Sequence, residues 1–144
     1  MRISRELLAE LIAHVREDPE NEVCGVVAVE PRGAGSAGAE GPRALEVHRA
    51  HNIHSSPLKF EIDPEELRRL WSECEELGEL GAIYHSHVRS EPYPSQTDVN
   101  FAANWPGVEW IIVRLAGDSE PQLRSYLIDD AGRVEEVRIE ETSS

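Results

Sequence analysis

His85-Ser86-His87 is followed, after seven residues, by Ser95 and then by Asp98. This spacing constrains the fold more than any other stretch of the chain. Leu80 to His87 reads as a strand, and alternate side chains of a strand share a face. His85 and His87 therefore project together, and Ser86 projects the other way. Residues 88–94 carry two prolines and read as a loop. Ser95 is a helix N-cap by type, and Asp98 falls in the first turn, able to face back toward the strand end. A strand, a loop and a helix must thus bring two imidazoles, a carboxylate and a hydroxyl to one place.

The remaining pattern supplies the surroundings. Ser4 caps a helix predicted over 5–17, with Leu7, Leu8, Leu11, Ile12 and Val15 at helical spacing. Val23 to Val29 is an apolar run of central-strand length. Residues 31–42 are rich in Gly, Ala and Ser and read as a flexible loop. Residues 44–53 read as a strand returning against the first. Asp63-Pro64-Glu65-Glu66 combines a cap, a first-turn proline and acids at the positive end of the helix dipole, so a helix should run to Gly78. Ser95 opens a helix to about Asn104. Strands follow at 108–115, 122–128 and 133–139, with turns at Gly117-Asp118 and Asp130-Ala131-Gly132. The tail at 140–144 is expected to fray. The order predicts a single domain over 1–144, a mixed α/β (α+β) fold with one mostly antiparallel sheet flanked by helices.

The net charge of −14 disfavours nucleic acid and anionic lipid as partners. No apolar run is long enough to cross a bilayer, and Met1 leads into an amphipathic pattern, so a cytoplasmic location is expected. Cys24 and Cys74 are the only cysteines; their separation disfavours a zinc knuckle, and both read as buried small hydrophobes.

Two nitrogens and one carboxylate oxygen leave a fourth tetrahedral position free, which distinguishes a catalytic zinc from a structural one. Zinc lowers the pKa of a bound water toward neutrality. A glutamate near the metal but not bound to it suits the accompanying proton transfer. Glu22, at the head of a strand expected beside the histidine strand, is the candidate base, and Ser95 the candidate donor to an oxyanion. Singly, each has an ordinary reading: polar residues at a strand end, a capping arrangement, a charge ahead of a strand. Together at this spacing they point to one metal site. Other zinc patterns fail on named residues. A His-x-His-x-Asp-His motif needs Asp and His where the chain has Arg89 and Ser90, and His-Glu-x-x-His and Pro-Cys-x-x-Cys are absent.

Other residues carry weaker signals. Arg89 and Glu91 are candidates for substrate contact. His51 and His54 flank Asn52 and could line a groove, though surface roles are the default. Trp71, Trp105 and Trp110 are expected in the core. Glu65, Glu66, Glu73, Glu75 and Glu76 are expected on a solvated helix face.

His85-x-His87, Ser95 and Asp98, with upstream Glu22-x-Cys24-Gly25, resemble the motif of the JAMM (MPN+) metallopeptidase family. The resemblance covers nearly the whole chain, including Asn52 ahead of Pro57-x-x-Phe60. Ile83-Tyr84-His85-Ser86-His87, Tyr93-Pro94-Ser95, Thr97-Asp98 and Leu123-Arg124-Ser125-Tyr126 bring it nearest the bacterial CysO-cysteine peptidase (Mec) branch. It implies a cytidine-deaminase-like fold and one Zn2+ per chain, held by His85, His87 and Asp98. It further implies Glu22 as general acid/base and Ser95 as oxyanion partner; no motif position departs from the pattern. The implied activity is hydrolysis of an amide or isopeptide bond after the C-terminal Gly-Gly of a ubiquitin-like or sulfur-carrier protein. For this branch that means release of cysteine from a carrier adduct. The rivals are a general isopeptidase of ubiquitin-like conjugates and a zinc-stabilised binding module. The oligomeric state, and whether loops 31–42 and 54–59 close over substrate, stay open.

Overall fold

A computed structural model describes residues 1–31, 41–115 and 120–143. Most of the loop expected at 31–42, and the turn at Gly117-Asp118, fall outside these residues. The elements are β1 (Arg2–Ser4), α1 (Arg5–Arg16), β2 (Cys24–Val29), β3 (Ala44–Ala50), α2 (Pro64–Leu77), β4 (Glu79–Ser86), α3 (Gln96–Ala102), β5 (Glu109–Arg114), β6 (Gln122–Ile128), β7 (Val134–Val137) and β8 (Glu140–Thr142).

Local chemistry accounts for the helix starts. Ser4 accepts the N–H of Leu7. Asp63 accepts those of Glu65 and Glu66, with Pro64 at the first helical position, where a missing N–H is harmless. Among the described residues, six strands form one sheet in the order β3-β2-β4-β5-β6-β7. Every pairing in it is antiparallel except β4 with β5. Parallel neighbours need a crossover, and α3 lies in that connection, which carries Asp98 back to the end of β4.

Period-two alternation divides the core between the faces of the sheet. On one face Val27, Val29, Ala82, Tyr84, Ile111 and Val113 pack with Leu11 and Val15 of α1. On the other Val26, Ala28, Ile83 and Trp110 pack with Leu70 and Cys74 of α2 and Ala102 of α3. Full burial of each large aliphatic is worth roughly 1.5–3 kcal/mol, so the two layers hold the central strands from both sides. Helices thus flank a mostly antiparallel sheet, as the pattern predicted.

Two expectations need correction. Residues 140–142 do not fray: β8 pairs in parallel with β1, Arg2 opposite Glu140 and Ser4 opposite Thr142. The Glu-Glu-Thr segment has no local apolar signal, and its partner comes from the far end of the sequence. Trp71 is not in the core but is 47% exposed. The buried stripe of α2 passes through Leu70 and Cys74, and the next position along a helix is rotated off that stripe by about 100°. Trp110 is fully buried, as expected. None of the described helices is long and apolar enough to cross a membrane.

Candidate metal centre

β4 is the centre of the site. Cys24 stands opposite His85 in the β2–β4 ladder, and the antiparallel pairing continues past the strand end. The N–H of Ser86 donates to the Val23 carbonyl at 2.9 Å, and the N–H of Val23 donates to Ser86 Oγ at 2.8 Å. Ser86 is thereby consumed in bracing the two strands on the face away from the histidines. One residue before Val23, Glu22 lies close enough to His87 and Asp98 for their charges to act on its carboxyl.

His85, His87 and Asp98 are all buried, and their donor atoms lie within 4.8 Å of one another. His85 Nε2 is 3.1 Å from His87 Nε2 and 3.2 Å from Asp98 Oδ2. His87 Nε2 is 3.5 Å from the same carboxylate oxygen. Tetrahedral ligands about 2.0–2.1 Å from a zinc ion stand about 3.3 Å apart, so the three donors match the edges of that polyhedron. The protonation of His87 fits as well. Its Nδ1 faces the Glu91 carbonyl at 2.8 Å, which can only accept, so Nδ1 donates there and Nε2 is the nitrogen turned toward Asp98 and the centre of the site. Two imidazole nitrogens and a carboxylate oxygen converging on one point are a donor set suited to zinc.

Asp98 is held by the start of α3. Its Oδ2 accepts the Ser95 N–H at 2.8 Å, and its own N–H donates to Ser95 Oγ at 3.2 Å, a reciprocal capping box. Burial pushes the Asp98 carboxyl up, but the charge of His85 and hydrogen bonds from His85, His87 and the Ser95 backbone overrule it. The group sits well below the usual carboxylate range. For His87, burial works downward, but hydrogen bonds to Asp98 and the Glu91 carbonyl raise the imidazole overall. Glu22, 7% exposed, is pushed up to about 7, first by burial; His87 opposes the shift and Asp98 adds to it. A carboxyl poised near neutrality can both accept and return a proton. Ser95 is exposed at the site's edge. Its oxygen already accepts one hydrogen bond as a cap, and its O–H is left to donate.

The five residues singled out by spacing thus come to one end of β4. Other contacts of the site carried little sequence signal. Phe60 stacks on His85 at 4.4 Å. The 88–94 loop is pinned by Tyr126, whose hydroxyl donates to the Pro92 carbonyl. Glu91 contributes its backbone carbonyl, while its side chain pairs with Arg114 at 3.0 Å. His54 pairs with Glu61, and the backbone N–H of His51 donates to Glu66. Cys24 and Cys74 are buried, and burial pushes each thiol up to about 12, so both stay protonated and are poor ligands.

A buried His-x-His and Asp cluster stands at the end of a central strand, in a mixed sheet flanked by helices, the arrangement that the resemblance to the JAMM family implies. Residues 4–129 match the family of prokaryotic homologues of the JAB domain, and the chain belongs to that family. It is 35% identical to the CysO-cysteine peptidase of Mycobacterium tuberculosis over 93% of this chain and 86% of that protein. It is 34% identical to the desampylase of Pyrococcus furiosus over 67% of this chain and 66% of that one. The solution structure of protein DSY2949 from Desulfitobacterium hafniense superposes with a TM-score of 0.82 at 26% identity, covering 99% of this chain and 93% of that one. A structure described as a JAMM, metalloprotease-like zinc site in the proteasome and signalosome shares the fold. Its TM-score is 0.55 at 20% identity, over 99% of this chain and 98% of that one.

Proposed function

We propose that this chain is a zinc-dependent peptidase that cleaves the bond after the C-terminal Gly-Gly of a ubiquitin-like or sulfur-carrier protein in the cytoplasm. Its preferred substrate on this reading is a carrier–cysteine adduct, and cysteine is the product. The observation that carries the reading is the cluster of His85, His87 and Asp98, with Glu22 buried near them and raised to about 7. The likeness to the CysO-cysteine peptidases over nearly the whole chain supports the carrier adduct as substrate.

His85, His87 and Asp98 would hold the ion. Bound there, zinc would polarise the scissile carbonyl and activate the attacking water. Glu22 takes the proton from that water and returns it to the leaving amine. Ser95 donates its free O–H to the carbonyl oxygen as negative charge develops. A glycine tail suits the site because side chains at those positions would hold the backbone away from the buried donors.

The second reading is a general isopeptidase of ubiquitin-like conjugates, which the likeness to the desampylases favours. It changes the leaving amine and leaves the chemistry alone. A zinc-stabilised binding module is disfavoured, because a buried, near-neutral Glu22 beside the triad has no use in it.

The test is intact-mass analysis of a small sulfur-carrier protein ending in Gly-Gly-Cys, incubated with the enzyme with and without chelator. Loss of one cysteine residue's mass, abolished by the chelator, supports the proposal. No loss from this substrate, with zinc bound and the fold intact, shifts the assignment to a lysine isopeptide or to a binding role.

A further inference from the structure

The two histidines of the triad are oriented by different physics. His87 is fixed by a hydrogen bond at Nδ1. His85 is fully buried, and among the described residues its Nδ1 has no hydrogen-bond partner. A ligating histidine ordinarily donates its second ring N–H to an acceptor that sets the ring plane. His85 has rings instead. Phe60 lies on its face, centroids 4.4 Å apart and planes 26° from parallel, and Trp110 meets it edge-on at 6.4 Å.

Phe60 is delivered by the segment between β3 and α2, and that segment is tied down by Asn52. The Asn52 amide donates to the carbonyls of Glu22 and Lys59, each at 3.0 Å. Its Oδ1 accepts the N–H groups of His54 and Glu61, each at 3.1 Å. Two donors and two acceptors saturate an asparagine side chain, and Asn52 is 8% exposed. The backbone N–H of Glu22 also donates to the Ser56 carbonyl at 2.7 Å. Both backbone groups of Glu22 are therefore bound to the segment that carries Phe60.

We propose that Phe60, clamped by Asn52, is a positioning residue that holds the plane of His85 by stacking, in place of the missing hydrogen bond, and so sets the affinity of the site for its metal. This rests on the reading of His85 as a ligand. A flat ring restrains the imidazole against tilting, whereas an aliphatic side chain of similar volume fills the space without defining a plane. Because the same clamp fixes Glu22, loss of Asn52 disturbs ligand and base together.

The experiment measures Zn2+ affinity of the purified, metal-free full chain by chelator competition, with no substrate present, for wild type, Phe60→Leu, Phe60→Tyr and Asn52→Asp. The visible spectrum of each Co2+-loaded protein reports ligand geometry, and metal-free thermal unfolding reports the fold. Phe60→Leu is expected to bind Zn2+ about tenfold or more weakly with an altered Co2+ spectrum, and Phe60→Tyr to retain wild-type values. Asn52→Asp, which loses both N–H donors, is expected to weaken Zn2+ binding and to lower turnover even at saturating zinc. Wild-type affinity and an unchanged Co2+ spectrum in Phe60→Leu, in a background where wild type binds zinc, overturn the inference alone, whatever happens to the unfolding temperature. A wild-type protein that binds no zinc overturns the metal-site reading and this inference with it.

Discussion

The Oδ2 atom of Asp98 lies 3.2 Å from Nε2 of His85 while still accepting the first backbone N–H of the capping box of α3. One carboxylate oxygen therefore closes a helix terminus and completes the His85–His87–Asp98 cluster. The start of α3 and the end of β4 cannot drift apart without breaking both.

This double duty makes Asp98→Asn informative. The amide oxygen can still accept the Ser95 N–H, so the helix should start as before, but the site loses its only anionic ligand. Zinc affinity is expected to fall by at least tenfold with little change in helix content, read by chelator competition and circular dichroism. Full zinc occupancy at limiting metal would remove Asp98 from the ligand set.

Glu22→Gln should leave zinc binding intact and lower turnover by a factor of ~100 or more, the usual scale for loss of a general base. Metal content and steady-state rates on the Gly-Gly-Cys carrier measure this directly. A variant as active as wild type would show that Glu22 moves no proton.

The same residue predicts a pH dependence of the metal-free protein. The folded value of Glu22 is raised to about 7, so the native state holds a proton that the unfolded chain gives up at its lower, ordinary value. That contribution is complete below the unfolded pKa and is lost as pH rises through 7. Its size is of order 3 kcal/mol at most. Urea midpoints of the metal-free chain should fall between pH 5 and pH 8, and Glu22→Gln should flatten that part of the decline. Parallel curves for the two proteins would contradict the assignment.

Ser95→Ala separates capping from catalysis by magnitude. Loss of the cap should cost about 1 kcal/mol. Loss of an oxyanion donor should reduce kcat by ~100-fold with zinc retained. A drop in stability with normal kcat would leave Ser95 only its capping role.

Gly25→Ala tests the opposite face of the sheet. A Cβ at 25 would run into the ring and hydroxyl of Tyr84. That ring is fully buried, and its hydroxyl meets Nδ1 of His14 at 2.6 Å. Overpacking of this kind typically costs about 1–3 kcal/mol, measurable by equilibrium denaturation. A neutral substitution would mean that Tyr84 has room to move.

Local signals carried a large share of this molecule. Ser4 and Asp63 cap helices because a short acceptor before an amphipathic run has one favourable place to go. His85 and His87 share a face because strands alternate. Their spacing to Ser95 and Asp98 marks the site because the loop and the helix start are both short. The family resemblance rests on those same residues. Trp71 was misplaced because the edge of a helical stripe depends on what the helix packs against.

Most of the helices and central strands, the shared face of the two histidines and the residues of the candidate site are legible in the chain's local pattern, since these follow from periodicity, caps and spacing within short stretches. Contacts between distant segments come from the packed fold. It paired residues 140–142 with 2–4, brought Glu22 within reach of the charges of His87 and Asp98, and laid Phe60 on His85 through the Asn52 clamp. Such contacts are chosen by the packing of the whole core, and no local pattern encodes a partner tens of residues away.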